Sequence, residues 1–495
     1  MRGLRLVNPD LEAAHAALEQ ERLGDVLAPL ERAVASGAPA DAAHWQGVLD
    51  IAGRIGDDDL ALLAARRLLD LAPRDPRRRA LLMERLAQTG ALREALAIAR
   101  KLESESPIDP MLPVASGIYL ARLGREEEAI RSLRLAIRRA PQSPLAWERL
   151  ASLRTFRPLD PELAELERLA MAAGERPEGA VFAYAFAKAL DDIGDADRAY
   201  EWFARGAARV LGGRQPRMDG LFAEAAEVCA AFPPQRLHSG STTGRPERPI
   251  LIIGCARSGT TLLERILASS PAAISAGELK MLHLACLGLS PPSPARLERF
   301  VQACGGELAA WQRVAGTYVG KLVHRFGRAD GVIDKGLVNY LYVGAAAQAL
   351  PQARIIHVQR DPMDVAWSCF RRLFHNGLAW SYHFESIAAF MRVYADVVAH
   401  WKQVLPGRIL SVDFERLVGE PDAETARVFD FVGIERPADW RSFHEKRGAV
   451  LTSSLLQVRR PLNADGVGAW RRYATHLGPL KDALAKQGLL EPGGA

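Results

Sequence analysis

The chain has 495 residues, 48% of them hydrophobic and 25% charged. That length exceeds one typical core and predicts two or more domains, and the composition excludes wholesale disorder. A net charge of +5 with a pI near 9.0 suits polyanionic ligands or acidic acceptors; it is too mild to imply nucleic acid, and no nucleic-acid-binding module is recognisable. The five cysteines, Cys229, Cys255, Cys286, Cys304 and Cys369, form no C-x-x-C pair. They predict reduced thiols in a cytoplasmic protein, with neither a disulfide framework nor a zinc site. Asp10, Glu12, Glu19, Glu21 and Asp25 argue against a leader peptide. No apolar run reaches about eighteen residues, so no membrane span is expected.

The first half reads as a repeat array. The pentapeptides APRDP, SPIDP and APQSP end at Pro76, Pro110 and Pro144, a step of 34 residues. Gly56, Gly90 and Gly124 keep the same step. This period and helix-turn-helix pattern resemble tetratricopeptide repeats. The glycines would end the turn between helices A and B of each unit, and the prolines would stop helix B. Ala61, Ala64 and Ala65, then Ala95, Ala97 and Ala99, then Ala129 and Ala136 form small-residue stripes on the B helices. Gly24 marks an earlier, irregular unit and Gly194 a degenerate one. The expected helical domain covers residues 8–230. Such a solenoid offers a surface for a protein partner, an acceptor peptide or a second copy, and does not itself imply chemistry. A Pro/Gly/Ser-rich linker is expected over 231–248.

From residue 249 the pattern changes to alternating strand and helix. PILIIGCARSGTT, residues 249–261, is an apolar strand, a polar loop bounded by Gly254 and Gly259, and a helix start. Loops of this kind hold phosphate-like anions: N–H groups point inward, and the helix N-terminus adds partial positive charge. The spelling approaches G-x-x-x-x-G-K-[ST], but Thr260 stands where that motif has lysine. Arg257 then supplies the charge, and the anion is expected to differ from a nucleoside triphosphate. Further strands are expected at VIDK (332–335), ARIIHVQR (353–360) and RILSVD (408–413), each followed by a helix. The fold class is therefore α followed by α/β: an all-α repeat solenoid, then a P-loop-like domain with a parallel sheet over 249–485. Ligands belong at the carboxyl ends of its strands. In ARIIHVQRDPMDVAWSCFRRL, Asp361 and Pro362 suit a helix start. Ser368 and Arg372 then fall on one helix face, where they could meet Arg360 on one anion.

CARSGTTLLERIL resembles the 5′-phosphosulfate loop of sulfotransferases that use 3′-phosphoadenosine 5′-phosphosulfate (PAPS), with Ala256 in place of the family's proline. The resemblance covers roughly residues 245–485 and is sharpest in this loop and at Arg360/Ser368. It implies that Arg257, Ser258, Gly259, Thr260 and Thr261 bind the 5′-phosphosulfate. It also implies that Arg360 and Ser368 bind the 3′-phosphate, joined by Arg372 as in tyrosylprotein sulfotransferases. Glu278, in AISAGEL, matches the family's general base toward an acceptor hydroxyl. Lys335, in VIDKGLVNYL, matches the lysine that meets the departing bridging oxygen. The bland readings are a helix-terminal carboxylate for Glu278 and a solvated amine for Lys335. Ser454, three before Gln457 in a closing Q-V-x-x-P…W motif, matches a serine that contacts the donor. Ala469 stands where the tyrosylprotein enzymes have lysine, leaving Arg459 or Arg471 to substitute. The resemblance implies sulfuryl transfer from PAPS to a hydroxyl on a protein, peptide or small molecule, with no metal. The rival readings are a P-loop nucleotide kinase or NTPase, and a repeat scaffold carrying an inactive domain.

Overall fold

A computed structural model describes residues 8–36, 41–238, 247–327, 331–374, 378–445 and 459–490. The N-terminal half is a row of helical hairpins. A short first pair, α1 (Pro9–Glu19) and α2 (Leu27–Ala35), precedes α3 (Ala42–Ile55) and α4 (Asp58–Leu71). Then come α5 (Pro76–Gln88) with α6 (Leu92–Glu105), and α7 (Met111–Arg122) with α8 (Glu126–Arg139). Next are α9 (Pro144–Leu153) with α10 (Pro161–Ala173), and α11 (Pro177–Asp192) with α12 (Ala196–Leu211). Helices α13 (Asp219–Ala231) and α14 (Pro234–His238) lead to the sheet.

The glycine period has a backbone cause. Gly56, Gly90, Gly124 and Gly194 turn their hairpins at φ between +79° and +86°, where a Cβ is strained. The prolines act differently from expectation. Pro76 and Pro144 open the next A helix, behind side-chain caps from Asp75 and Ser143, and Pro110 stands at the N-cap of α7. A proline inside a helix start loses only an N–H that had no partner. The expected alanine stripe is buried at every position except Ala97, which faces outward. Gly24 has no left-handed backbone; its Cα lies against Gly288, beyond the repeats, and a Cβ there would come within 3.0 Å of that residue's Cα.

Among the described residues, the second half is built on five parallel strands in the order β2-β3-β1-β4-β5. They are β1 (Ile250–Gly254), β2 (Ile274–Gly277), β3 (Val332–Asp334), β4 (Arg354–Gln359) and β5 (Ile409–Asp413). Between them run α15 (Thr260–Leu267), α16 (Met281–Ala285), α17 (Pro294–Cys304), α18 (Glu307–Phe326), α19 (Val343–Ala349), α20 (Pro362–Phe370) and α21 (Phe384–Val404). After β5 come α22 (Phe414–Gly419), α23 (Pro421–Val432) and α24 (Gly478–Lys486).

Strand β1 is central, and all five of its residues are buried. Side chains alternate across a strand. Ile250 and Ile252 therefore pack with Leu263, Ile266 and Leu267 of α15, while Leu251 and Ile253 join a core on the other face. Burial on both faces is why the sequence there is uninterruptedly apolar. That second core is continuous with the repeats: Phe186, Trp202 and Phe203 belong to it together with Trp311 and Trp367. Polar ties reinforce the junction at both ends of the array. Lys321 Nζ meets Asp57 Oδ2 at 2.5 Å, and Tyr184 Oη donates to the Phe370 carbonyl at 3.0 Å. No helix among the described residues is long and apolar enough to cross a membrane.

Candidate functional site

The strand order sends the chain from β1 outward to β2, back to β3 beside β1, and then across to β4. Ligand crevices of open α/β sheets form outside the carboxyl ends of the strands, where the order reverses. The carboxyl ends of β1, β2, β3 and β4 carry Gly254, Gly277, Asp334 and Gln359. The residues that follow them are the loop 255–259, Glu278, Lys335 and Arg360. Candidates scattered over more than a hundred residues of sequence thus share one edge of the sheet.

The loop after β1 depends on its two glycines. A Cβ on Gly254 would lie 2.4 Å from Thr260 Cγ2 and 2.5 Å from Ser258 Oγ. A Cβ on Gly259 would lie 2.3 Å from Phe414 Cδ2, and Gly259 also has φ +101°. Only glycine lets the loop wind this tightly onto the start of α15. Arg257 is itself left-handed at φ +71°, a conformation that costs a non-glycine residue about 1–2 kcal/mol. Its Nε donates to Ser368 Oγ at 2.9 Å. Ser258 is 1% exposed, and its Oγ has no hydrogen-bond partner. A buried hydroxyl left so is a group waiting for one.

Arg360 follows β4 directly. Its Nη1 donates to the Arg257 carbonyl at 3.0 Å, its Nη2 to the Gly466 carbonyl, and its guanidinium lies 4.4 Å from the Phe414 ring centroid. Asp361 caps α20 by accepting from Asp364 N at 2.9 Å, with Pro362 in the first turn. Ser368 lies on this helix, but Arg372 does not, because α20 ends at Phe370. Arg372 stands in the turn beyond, near enough for its charge to act on Arg257, and it also feels the carboxylate of Glu148 in α9. Burial first, then the like charges of Arg372, Arg371 and Arg360, hold the Arg257 guanidinium down to about 9. Burial also lowers Arg372 and Arg360. Such a concentration of guanidiniums and hydroxyls is chemistry for a multiply charged anion.

On the other side of β1 stand Glu278 and Lys335. The pairing of β2 with β3 shifts register between Ser275 and Gly277. Such an irregularity re-aims the next side chain. Lys335 N donates to the Gly277 carbonyl at 3.0 Å, and Lys335 Nζ donates to Glu278 Oε1 at 2.7 Å. The Lys335 side chain is 1% exposed, so it is not a solvated amine, and that of Glu278 is 35% exposed. Two buried carboxylates hold this corner, and neither was singled out from the sequence. Glu264 of α15 accepts from Gly277 N at 2.9 Å and Ser275 Oγ at 2.7 Å, fixing the end of β2 to the helix that follows the loop. Asp334 accepts from Tyr318 Oη at 3.0 Å, Gly336 N at 3.0 Å and Asn339 Nδ2 at 2.8 Å. Burial nevertheless raises its pKa to about 6.

Thr260 and Thr261 are buried at the N-terminus of α15. Ser454 lies outside the described residues. Arg459, offered in place of the lysine absent at Ala469, reaches toward the repeats. Its Nη2 donates to the Arg122 carbonyl of α7 at 2.8 Å, and it packs on Gly124. Arg471 folds over the Trp470 ring, 5.2 Å from its centroid. Phe414, under both Gly259 and Arg360, was missed; the only sequence signal was an aromatic directly after RILSVD. Among the described residues no group of His, Cys, Asp or Glu could hold a metal ion.

Residues 249–438 match the model of the Sulfotransferase family. An uncharacterized protein of Aquifex aeolicus (strain VF5) is 27% identical over 269 residues, 51% of this chain and 34% of its own. The chain therefore spans about a third of the length of that curated relative. The sulfotransferase domain of the Synechococcus PCC 7002 olefin synthase is similar at a TM-score of 0.35 and 21% identity, over 50% of this chain and 96% of its own. PilW, a type IV pilus biogenesis factor, is similar at a TM-score of 0.31 and 20% identity, over 43% of this chain and 96% of its own. The loop, Glu278, Lys335 and Arg360 all lie within the stretch that matches the Sulfotransferase family model, and that stretch follows a row of helical hairpins with a 34-residue step.

Proposed function

We propose that this chain transfers a sulfuryl group from PAPS to a hydroxyl acceptor by in-line displacement. The observation that carries the reading is the convergence, on one sheet edge, of an anion loop, an arginine–serine cluster and a glutamate–lysine pair. The loop, with Arg257, Ser258, Gly259, Thr260 and Thr261, receives the 5′-phosphosulfate. Arg360, Ser368 and Arg372 receive the 3′-phosphate, a group that ATP lacks. The unpartnered Ser258 Oγ and the clustered guanidiniums fit such a ligand.

Glu278, as general base, takes the proton of the acceptor hydroxyl while its oxygen bonds to sulfur. The bond from sulfur to the bridging oxygen breaks, and the electron pair leaves with the 5′-phosphate. Lys335 neutralises the charge that develops on that oxygen. As in phosphoryl transfer, positioning and charge stabilisation do most of the catalysis. A cation about 4 Å from a developing unit charge contributes roughly 4 kcal/mol at an effective dielectric of 20. The acceptor is a hydroxyl of a protein, peptide or small molecule, and the repeats are a surface on which a protein acceptor or partner could dock.

Calorimetry with 3′,5′-diphosphoadenosine, adenosine 5′-phosphosulfate and ATP with magnesium tests the donor. The proposal expects the diphosphate to bind more tightly than either nucleotide lacking a 3′-phosphate. Preference for ATP with magnesium would favour the kinase reading and sink this one. Incubation with radiolabelled PAPS and lysate, separated by size, then assigns the acceptor to macromolecules or small molecules.

A further inference from the structure

One side chain of the repeat array has several partners on the arginine-rich side of the site. Asp191 lies in the last turn of α11 and is 17% exposed. Its Oδ2 meets Arg371 Nη1 at 3.1 Å, and its Oδ1 accepts from Tyr473 Oη at 2.6 Å. Arg472 Nη2 lies 3.0 Å from both Asp191 Oδ1 and the Asp191 carbonyl. Tyr473 is fully buried and packs on Trp367 of α20, with ring centroids 4.5 Å apart. One carboxylate therefore binds both the turn that ends α20 and the segment around residues 469–473.

Each of those segments leads to the donor site. The turn after α20 carries Arg371 and, next to it, Arg372; α20 itself carries Ser368, which accepts from Arg257. The other segment is pinned to α20 by Asp364, whose carboxylate accepts from Gly468 N at 2.7 Å and Trp470 N at 3.2 Å. Just before it, the Gly466 carbonyl accepts from Arg360. Rigid ties of this kind matter because a bidentate arginine contact tolerates little displacement. Helix α11 makes a second contact two turns before Asp191, from Tyr184 Oη to the Phe370 carbonyl at the end of α20.

We propose that Asp191 is a positioning residue, supplied by the repeats, that sets Arg372, Ser368 and Arg360 for a ligand's 3′-phosphate. The array is then part of the donor site's framework as well as a surface for partners. This inference rests on the donor reading above. It assigns Asp191 no contact with the ligand.

The test compares binding of 3′,5′-diphosphoadenosine with that of adenosine 5′-phosphosulfate, which lacks the 3′-phosphate, in the full-length protein. The ratio of the two affinities isolates the 3′-phosphate contribution. Asp191→Asn should lower this ratio about tenfold, equivalent to about 1.4 kcal/mol, while binding of adenosine 5′-phosphosulfate changes little. Asp197→Asn, which takes the charge out of the more exposed contact between His476 and the repeats, 2.7 Å long, should leave the ratio unchanged. An unaltered or higher ratio in Asp191→Asn overturns the inference, as does an equal loss for both nucleotides. Should Asp191→Asn not fold, Tyr473→Phe removes only the hydroxyl that Asp191 accepts, and an unaltered ratio there overturns the inference as well. A wild-type protein that does not discriminate between the two nucleotides overturns the donor reading itself, and this inference with it.

Discussion

Replacing Glu278 by glutamine separates the chemistry of the site from its shape. Glutamine keeps an acceptor oxygen within reach of Lys335 but carries no negative charge and takes no proton. The two charges now stand 2.7 Å apart. At an effective dielectric of 20 their attraction is about 6 kcal/mol. Glu278 is 35% exposed, so solvent screens part of that, and the net loss of stability should be about 2–3 kcal/mol. The loss arises on the other partner: Lys335, 1% exposed, is left buried without its counter-charge. Adding Lys335→Met removes the stranded ammonium, so the double variant should regain most of the stability. It should not regain activity. Loss of a positioned base lowers kcat by roughly 10²–10⁴-fold, or about 3–5 kcal/mol of barrier. Urea denaturation of both variants and turnover of labelled donor read the two effects separately. A Glu278→Gln enzyme keeping more than about a third of wild-type kcat refutes the assignment of the base. A double variant less stable than Glu278→Gln refutes the stranded-charge argument.

Other residues make equally direct predictions. Gly259→Ala puts a methyl group on a residue at φ +101° and 2.3 Å from the Phe414 ring. It should lose about 1–3 kcal/mol of stability together with binding of 3′,5′-diphosphoadenosine, and unchanged melting temperature and calorimetric Kd would contradict that. Asp334 has a folded pKa raised by burial from 3.8 to about 6, so the native protein holds its proton more tightly than the unfolded chain. Its contribution is therefore complete below about pH 4 and is lost as pH rises to about 6, by roughly 3 kcal/mol. Asp334→Asn should flatten the pH dependence of stability in that window, measured by denaturant midpoints from pH 4 to 7; a curve parallel to wild type would count against it.

The parts of this protein that were legible in its sequence are those set by neighbouring residues. The 34-residue step is visible because each hairpin needs a left-handed turn, and Gly56, Gly90 and Gly124 supply it. The central strand is visible because burial on both faces demands an unbroken apolar run from Ile250 to Ile253. The tight loop after β1 is visible because its two glycines and its hydroxyls lie within a few bonds of one another. Pairings across the sheet were not legible. Glu278 and Lys335 follow different strands and meet only because β2 pairs with β3 in one particular register. Arg257 and Ser368 are 111 residues apart and meet only because β4 lies beside β1. The destination of Arg459, the ring of Phe414 under the loop and the hold of Asp191 on Arg371 were likewise decided by tertiary packing. Local conformational preferences are written into short stretches of sequence. Strand order and register depend on the free energy of the whole core, to which no single stretch is a guide.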